Sequence, residues 1–352
     1  LRCRDCGDCV MSFEIYPEDF STRYEIRHAI SIIMNIYYND IGKLIMIAPV
    51  NDYNINALKV GNMLYDTDRN TTFVIENTKM DTTNNRITAN GYTTNWLLNK
   101  RIIADQFYMW GIEKGVYSLI NDNLRGLTRI QTAEPIGMEE TTDNLFLGGN
   151  LLDEIMPFLE EKGIGHKMEW NPETMTHTFR LYKGRDLTSG IHAIVFSEEQ
   201  GSAEDLIIND DDSTFCNVAY VQGALNGEDN TFIEIVGDAT GDYRREVWLK
   251  TAVRQEQDET EDECKERAQA YGQMELGKRI RRKSFSVTID PDDLGKYYAL
   301  GDIVSCVSVR FGVSFNARIT GIKYTLDSNK ARTEVLLGDP ILTALGEMKL
   351  NG

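Results

Sequence analysis

Three cysteines open the chain as CxxCxxC: Cys3, Cys6 and Cys9. Thiolates at this spacing can begin a zinc or iron–sulfur site, which ordinarily takes four ligands. No histidine precedes His28, and no second CxxC follows anywhere. The segment also precedes Met11, which reads as a start. Residues 1–10 are therefore expected to form a flexible leader, with Cys3, Cys6 and Cys9 the one metal candidate in the chain. Cys216, Cys264 and Cys306 stand singly in apolar surroundings and read as small buried hydrophobes.

The remaining chemistry is sparse. The four histidines are His28, His166, His177 and His192. His166 and His177 lie in a stretch that reads as a hairpin, where they could face each other as a metal pair. A polar strand position is the plainer role for each. Glu139-Glu140 and Asp153-Glu154 are adjacent carboxylates, but chain neighbours point apart, and glycoside hydrolysis needs two carboxyls about 5–9.5 Å apart across a substrate. Asp210, Asp211 and Asp212 lack the alternate spacing of a calcium loop and read as a solvated loop. HExxH, GxSxG and GxxxxGK[ST] are all absent, so no catalytic residue and no cofactor is expected. A basic cluster, Lys278, Arg279, Arg281, Arg282 and Lys283, follows a helix whose start is acidic, Glu256 to Glu263. Basic residues there complement the C-terminal helix dipole. The alternative is a grip on the acidic stretch of a neighbouring subunit. The sequence assigns no other interface residue.

The bulk numbers narrow the class. Fifty-five acids against 37 bases give a formal charge of −18, which opposes binding to a phosphate backbone. Such a surface serves solubility, or forms a wall past which DNA slides without sticking. No run approaches the roughly 20 apolar residues of a membrane span; the best, Ile30 to Ile36, is far shorter. There is no apolar signal-peptide core at the start, so the protein is expected to be made and kept soluble in a cytoplasm, or to leave it by a route needing no signal. With 352 residues, of which 41% are hydrophobic, two or three domains with real cores are expected.

The pattern along the chain predicts a mainly β protein with α+β content. Short β-branched runs, among them residues 13–17, 29–37, Lys43 to Pro49, Thr71 to Asn77 and Arg86 to Tyr92, predict a first barrel-like β domain over 11–110. The polar stretch Asp81 to Asn85 has hairpin-loop chemistry. Residues 111–190 read as an α+β middle domain. It holds a helix with Val116, Leu119, Ile120 and Leu124 on one face. A second helix carries Leu151, Leu152, Ile155 and Leu159 behind an Asn150 cap. Residues 191–345 read as a second barrel-like β domain. Its strands include Ile191 to Ser197, Cys216 to Gln222, Thr231 to Val236, Ile303 to Val309, Phe315 to Tyr324 and Thr333 to Leu337. A helix is inserted at about 260–277, opened by a Thr260–Glu263 capping box, with Cys264, Ala268, Tyr271 and Met274 on its buried face. The stretch Glu198 to Asp212, seven acids without a base, reads as an acidic loop or wall. No 20–50-residue repeat is visible, although the two β domains could be distant duplicates.

An ordered series of segments then carries a resemblance: YNDIGKLIMIAP (Tyr38 to Pro49), LKVGNML (Leu58 to Leu64), ITANGYTTNWLLNKRII (Ile87 to Ile103), GNLL (Gly149 to Leu152), FRLYKGRDLT (Phe179 to Thr188), VFS (Val195 to Ser197), NVAYVQG (Asn217 to Gly223), YRRE (Tyr243 to Glu246), LGDIV (Leu300 to Val304) and ARITGIKY (Ala317 to Tyr324). In this order, over nearly all of 12–340, the chain resembles the siphophage and prophage tail-hub family. That family includes the N-terminal module of tail-associated lysins, and is related to contractile-phage baseplate hubs and the type VI spike base.

The resemblance implies two tube-type barrels separated by a smaller α+β domain. It also implies a homotrimer forming a pseudo-sixfold ring that continues the tail tube and passes DNA without binding it specifically. It places the protein at the virion tail tip as a non-enzymatic component, made in the cytoplasm of a host bacterium. Its neighbours there would be a distal tail or tail-tube protein, the tape-measure protein, and a tail-tip fibre or receptor-binding protein. Many relatives carry a C-terminal hydrolase or fibre; this chain ends about a dozen residues after the last expected strand, so neither is expected. Two rivals remain. A peptidoglycan hydrolase would need an acid–base or Cys–His pair. A receptor- or carbohydrate-binding tail protein would show exposed aromatic clusters, whereas Tyr37-Tyr38 and Tyr297-Tyr298 are the only tyrosine pairs.

Overall fold

The computed structural model describes residues 13–26, 29–146, 148–226, 230–277, 279, 282–310, 313–327 and 331–338. The leader with Cys3, Cys6 and Cys9, together with His28, Lys278 and Arg281, lies outside the described residues. The described chain is mainly β, with 21 strands and four α-helices. It forms two compact units, one from residues up to 207 and from 285 onward, the other from 208–284.

The first unit is organised by one large sheet. Its strands run in the order Glu204–Asp211, Arg282–Ile289, Ala331–Gly338, Val313–Asp327, Ser31–Tyr37, Lys43–Pro49, Arg86–Thr93, Thr71–Asp81, Met63–Asp66, Phe13–Tyr16 and Tyr24–Glu25. Among the described residues this path is open and does not close into a barrel. The boundaries expected at 110 and 190 both fall inside this unit. The reason is a long-range pairing: Ser31–Tyr37 bonds antiparallel to Val313–Asp327, from Gly321 opposite Tyr37 to Asp327 opposite Ser31. Both strands bury alternate apolar residues, Ile32 and Met34 on one, Ile322, Tyr324 and Leu326 on the other. Pairing them covers two apolar rows and satisfies the ladder together.

Local sequence explains the local structure. Lys43–Pro49 buries Leu44, Met46 and Ala48 in alternation. The Thr71–Asp81/Arg86–Thr93 hairpin turns where expected. The Asp81 carboxylate accepts from the N–H groups of Thr83 (3.0 Å) and Asn84 (3.1 Å), and Asn85 takes φ +51°, a conformation that asparagine tolerates well. A 3-10 helix, Thr94–Lys100, follows. Helix Ile112–Asn123 buries Val116, Leu119 and Ile120, and helix Leu151–Glu161 buries Leu151, Leu152, Ile155 and Leu159, as their spacing predicts. The Asn150 side chain, however, does not cap that helix. Asn99 takes the role from a distant segment, its Oδ1 accepting from the Asp153 N–H at 3.2 Å. Gly165–Asn171 and Thr176–Tyr182 form the expected hairpin, joined by Ile130–Thr132.

Several strands escape the sequence reading. Ile191 is almost wholly exposed, and only Val195–Phe196 of its run is strand, because Gly190 turns the chain at φ +86°. The acidic stretch is not all loop: Glu204–Asp211 is a strand with Leu206 buried. Phe107–Gly111, Thr141–Phe146, Glu246–Arg254 and Arg282–Ile289 are further strands.

The second unit is a three-stranded sheet, ordered Thr231–Val236, Val218–Ala224, Glu246–Arg254, under helix Glu261–Gly277. The capping box forms: the Thr260 N–H donates to the Glu263 carboxylate (2.8 Å), and the Glu263 N–H donates to Thr260 Oγ1 (3.3 Å). The helix seats on the sheet by small residues at four-residue spacing, Cys264, Ala268 and Gly272. A Cβ on Gly272 would lie 2.6 Å from Val236 Cγ2, so the approach needs glycine there. Tyr271 packs against this core, but Met274 does not: it is half exposed, on the far side from Gly272.

Candidate functional site

Four of the quoted segments, those holding Tyr38, Tyr182 with Gly184, Gly301 and Arg318, meet at one buried tyrosine. Tyr38 follows strand Ser31–Tyr37 and is 1% exposed. Its hydroxyl donates to the Gly163 carbonyl (2.9 Å), lies 3.2 Å from the Tyr182 carbonyl, and accepts from the Gly184 N–H (3.2 Å). The Tyr182 ring meets it edge-on at 5.1 Å, and the Arg318 guanidinium sits 5.2 Å from its centroid. Space around the ring is held open by glycine. A Cβ on Gly165 or Gly301 would run into the Tyr38 ring, and one on Gly184 would fall on the Gly301 carbonyl. Gly301 also takes φ +96°, the region that favours glycine.

An ion pair locks the same joint. Asp302 is buried and accepts from the Arg185 backbone N–H (2.7 Å), Arg185 Nη2 (2.6 Å) and the Ala299 N–H (2.9 Å). The Ile303 N–H donates to the Arg185 carbonyl and the Leu187 N–H to that of Ile303, each at 2.8 Å. YKGRDLT and LGDIV are thus two sides of one contact. Burial raises the pKa of the Tyr38 hydroxyl, and its bonds are spent on backbone. This is a structural joint without a free nucleophile.

The other candidates are dispersed. His166 pairs in register with Leu181, and His177 with Trp170. The two histidines stand four pairs apart, roughly 13 Å, and do not face each other. Both are buried polar strand residues. Asn95 Nδ2 lies 3.3 Å from His166 Nδ1, and Thr72 Oγ1 lies 3.2 Å from His177 Nε2. Burial lowers His166 to about 4; burial, helped by Arg129, lowers His177 to about 3. Both rings are neutral at pH 7. His166 also borders a cavity of about 310 Å³, lined by Tyr37, Arg69, Asn95 and Tyr324 among others. There Arg69 is committed to Asp66 (2.8 Å) and to the Tyr324 ring (4.1 Å).

Glu140 is held by Lys183, and Asp212 by Arg245 at 2.9 Å. Cys264 and Cys306 are buried as expected, whereas Cys216 is only partly so. No group of three His, Cys, Asp or Glu fit to hold a metal exists among the described residues. In the basic cluster, Arg279 donates to the Glu275 carbonyl (2.8 Å) and pairs with its carboxylate (2.6 Å), as a helix C-terminus favours. Arg282 opens strand Arg282–Ile289.

Two sheet faces remain exposed and apolar. In the second unit, the face opposite the helix carries Ile235, Tyr220 and Trp248 in one cross-strand row and Ile233, Gln222 and Lys250 in the next. Tyr220 and Trp248 lie side by side, 6.4 Å between centroids and 19° between planes. In the first unit, the ribbon of Phe107–Gly111 and Thr141–Phe146 presents Tyr108, Trp110 and Leu145 outward, with Tyr108 opposite Leu145 and Met109 buried behind. Sequence reading missed both. The signal was in TFIEIV, where Ile233 and Ile235 on one face and Phe232 and Val236 on the other break the simple apolar–polar alternation of a strand with one wet face.

The fold matches that of prophage tail proteins. It aligns with prophage tail protein gp18 from Listeria monocytogenes EGD-e at a TM-score of 0.52 and 14% identity, covering 97% of this chain and 100% of that one. The tail protein from Neisseria meningitidis MC58 gives 0.54 at 13% identity (93% and 96%), and the prophage MuSo2 43 kDa tail protein from Shewanella oneidensis 0.53 at 11% (93% and 97%). The chain belongs to the family of siphovirus ReqiPepy6 Gp37-like proteins, whose model matches residues 12–339. No curated protein sequence matches it. No helix among the described residues is long and apolar enough to cross a membrane.

Proposed function

We propose that this chain is a non-enzymatic hub at the virion tail tip, three copies of which form a pseudo-sixfold ring that continues the tail tube and passes DNA. The observation that carries the reading is the fold match to three tail proteins over nearly the full length of each chain. The charge of −18 supports it, since an acidic bore keeps DNA from adhering. The Tyr38 joint suits the role as well: it ties segments from both ends of the first unit, stiffening a part that transmits load rather than turning over substrate. In this reading the ring contacts a distal tail or tail-tube protein, the tape-measure protein and a tip fibre or receptor-binding protein.

The test is light scattering with negative-stain imaging of the purified chain, and antibody labelling of intact particles. Rings of three with a central hole, and label at the tail tip, are expected. A chain that stays monomeric alone and is absent from purified tails would sink the reading. Glycan binding is a second reading, favoured by the exposed Tyr220–Trp248 platform, because flat aromatic pairs stack on sugar rings.

A further inference from the structure

The two exposed sheet faces differ in charge as well as place. The face of the second unit adds Lys250, the partner of Gln222, and Arg254, the partner of Ala224 beyond a bulge. Its acid, Glu246, is paired with Arg244. This face is apolar and basic. The ribbon face holds Asp143, whose carboxylate accepts from the Tyr108 hydroxyl at 2.7 Å. That face is apolar and acidic. Trp110 is 60% exposed and Trp248 50%, and large aromatic side chains left in solvent mark contact sites more often than they serve folding.

We propose that these faces bind each other between copies: the second-unit face of one copy seats the ribbon face of the next. The occupant is a second copy of this chain because both complementary halves are on it. Pairing either face with its own duplicate would bring Lys250 and Arg254, or Asp143, toward like charges. Opposite faces bring Trp110 and Trp248 together with a cation and an anion at the rim. Two unlike faces on one chain make a heterologous contact, which repeats from copy to copy until rotation closes it into a ring. The inference rests on the ring reading only for that closure.

Trp110→Lys and Trp248→Lys test it separately. Both side chains point to solvent, so each variant should fold, which melting followed by circular dichroism checks. Each alone should raise the concentration needed for self-association at least about tenfold. Mixed one to one, the two variants should form a dimer of one copy each that grows no further, since each retains the face the other lacks. Variants that associate like the wild type overturn the contact; if they also form three-copy rings, the ring reading stands without it. A mixture that stays monomeric overturns it too, as does a wild-type chain that is monomeric at the highest concentration reached. So does binding of a chitin oligosaccharide that is lost in Trp248→Lys while self-association is unchanged, which would assign the face to glycan.

Discussion

The Tyr38 joint and the Tyr220–Trp248 face are built from the same residue types and behave in opposite ways. At the joint an aromatic ring is closed in by glycines and its hydroxyl is spent on two backbone segments, while the buried Asp302 nearby captures the backbone of Arg185 and Ala299. On the second-unit face Trp248 is half exposed beside a partly buried Tyr220 whose hydroxyl meets Arg244 and Glu246, and Ile233 and Ile235 are exposed in the neighbouring strand. The first arrangement has no room for a Cβ at Gly165, Gly184 or Gly301. The second needs only a flat apolar surface, which many sequences provide.

The comparison is broken most easily at Gly184. A Cβ there meets the Gly301 carbonyl, and backbone cannot step aside as a side-chain tip can. Gly184→Ala should destabilise the first unit by about 3 kcal/mol or more, read as a lowered urea midpoint or as insoluble protein. Near-normal stability would mean the joint is looser than its geometry says.

Next in size is an asymmetry within the ion pair. Asp302→Ala leaves the part-buried N–H groups of Arg185 and Ala299 without their acceptor, which should cost about 2–3 kcal/mol. Arg185→Ala removes a side chain that is 60% exposed, and surface pairing of that kind is worth under about 1 kcal/mol. Equal losses from both would show that the charge pair, not the backbone capture, holds LGDIV in place.

Acid probes the same unit more gently. Burial keeps His166 and His177 neutral, with values near 4 and 3, whereas an unfolded chain binds those protons at about pH 6.5. Below about pH 6.5 the unfolded state takes up more protons than the folded one, so stability is full above that value and drains as pH falls toward 3. Each histidine contributes a slope of up to about 1.4 kcal/mol per pH unit. His177→Gln, which can still bond Thr72, should flatten the fall in urea midpoint between pH 6 and 4 relative to wild type. An unchanged slope would mean that His177 takes no part in acid unfolding.

These residues also show what was legible. Alternating strands such as Lys43–Pro49, the apolar faces of three helices, the Asp81–Asn85 turn and the Thr260–Glu263 box all follow from local chemistry. The joint was visible only as a string of quoted segments, because spacing along a chain does not reveal that Tyr38, Gly184 and Gly301 meet. Asn99 capping a helix that begins 52 residues later, at Leu151, and Ser31–Tyr37 pairing with Val313–Asp327 are tertiary choices of the same kind. Glu204–Asp211 was hidden by charge: acids on an edge strand read as loop, although they also guard that edge against stray pairing.

The smallest expected effect on folding sharpens the comparison most. Trp248 faces away from helix Glu261–Gly277, while Leu249, its neighbour, is buried beneath it. Trp248→Lys should leave the melting temperature of the isolated copy nearly unchanged, within about 0.5 kcal/mol of stability, as surface substitutions usually do. Leu249→Ala, one residue away, should cost about 2–5 kcal/mol. A residue whose removal costs the fold nothing has no folding reason to be tryptophan, the side chain with most apolar area to leave in water. If instead Trp248→Lys proves as damaging as Leu249→Ala, the face is part of the core, and the contrast between a joint that folds and a face that binds is lost.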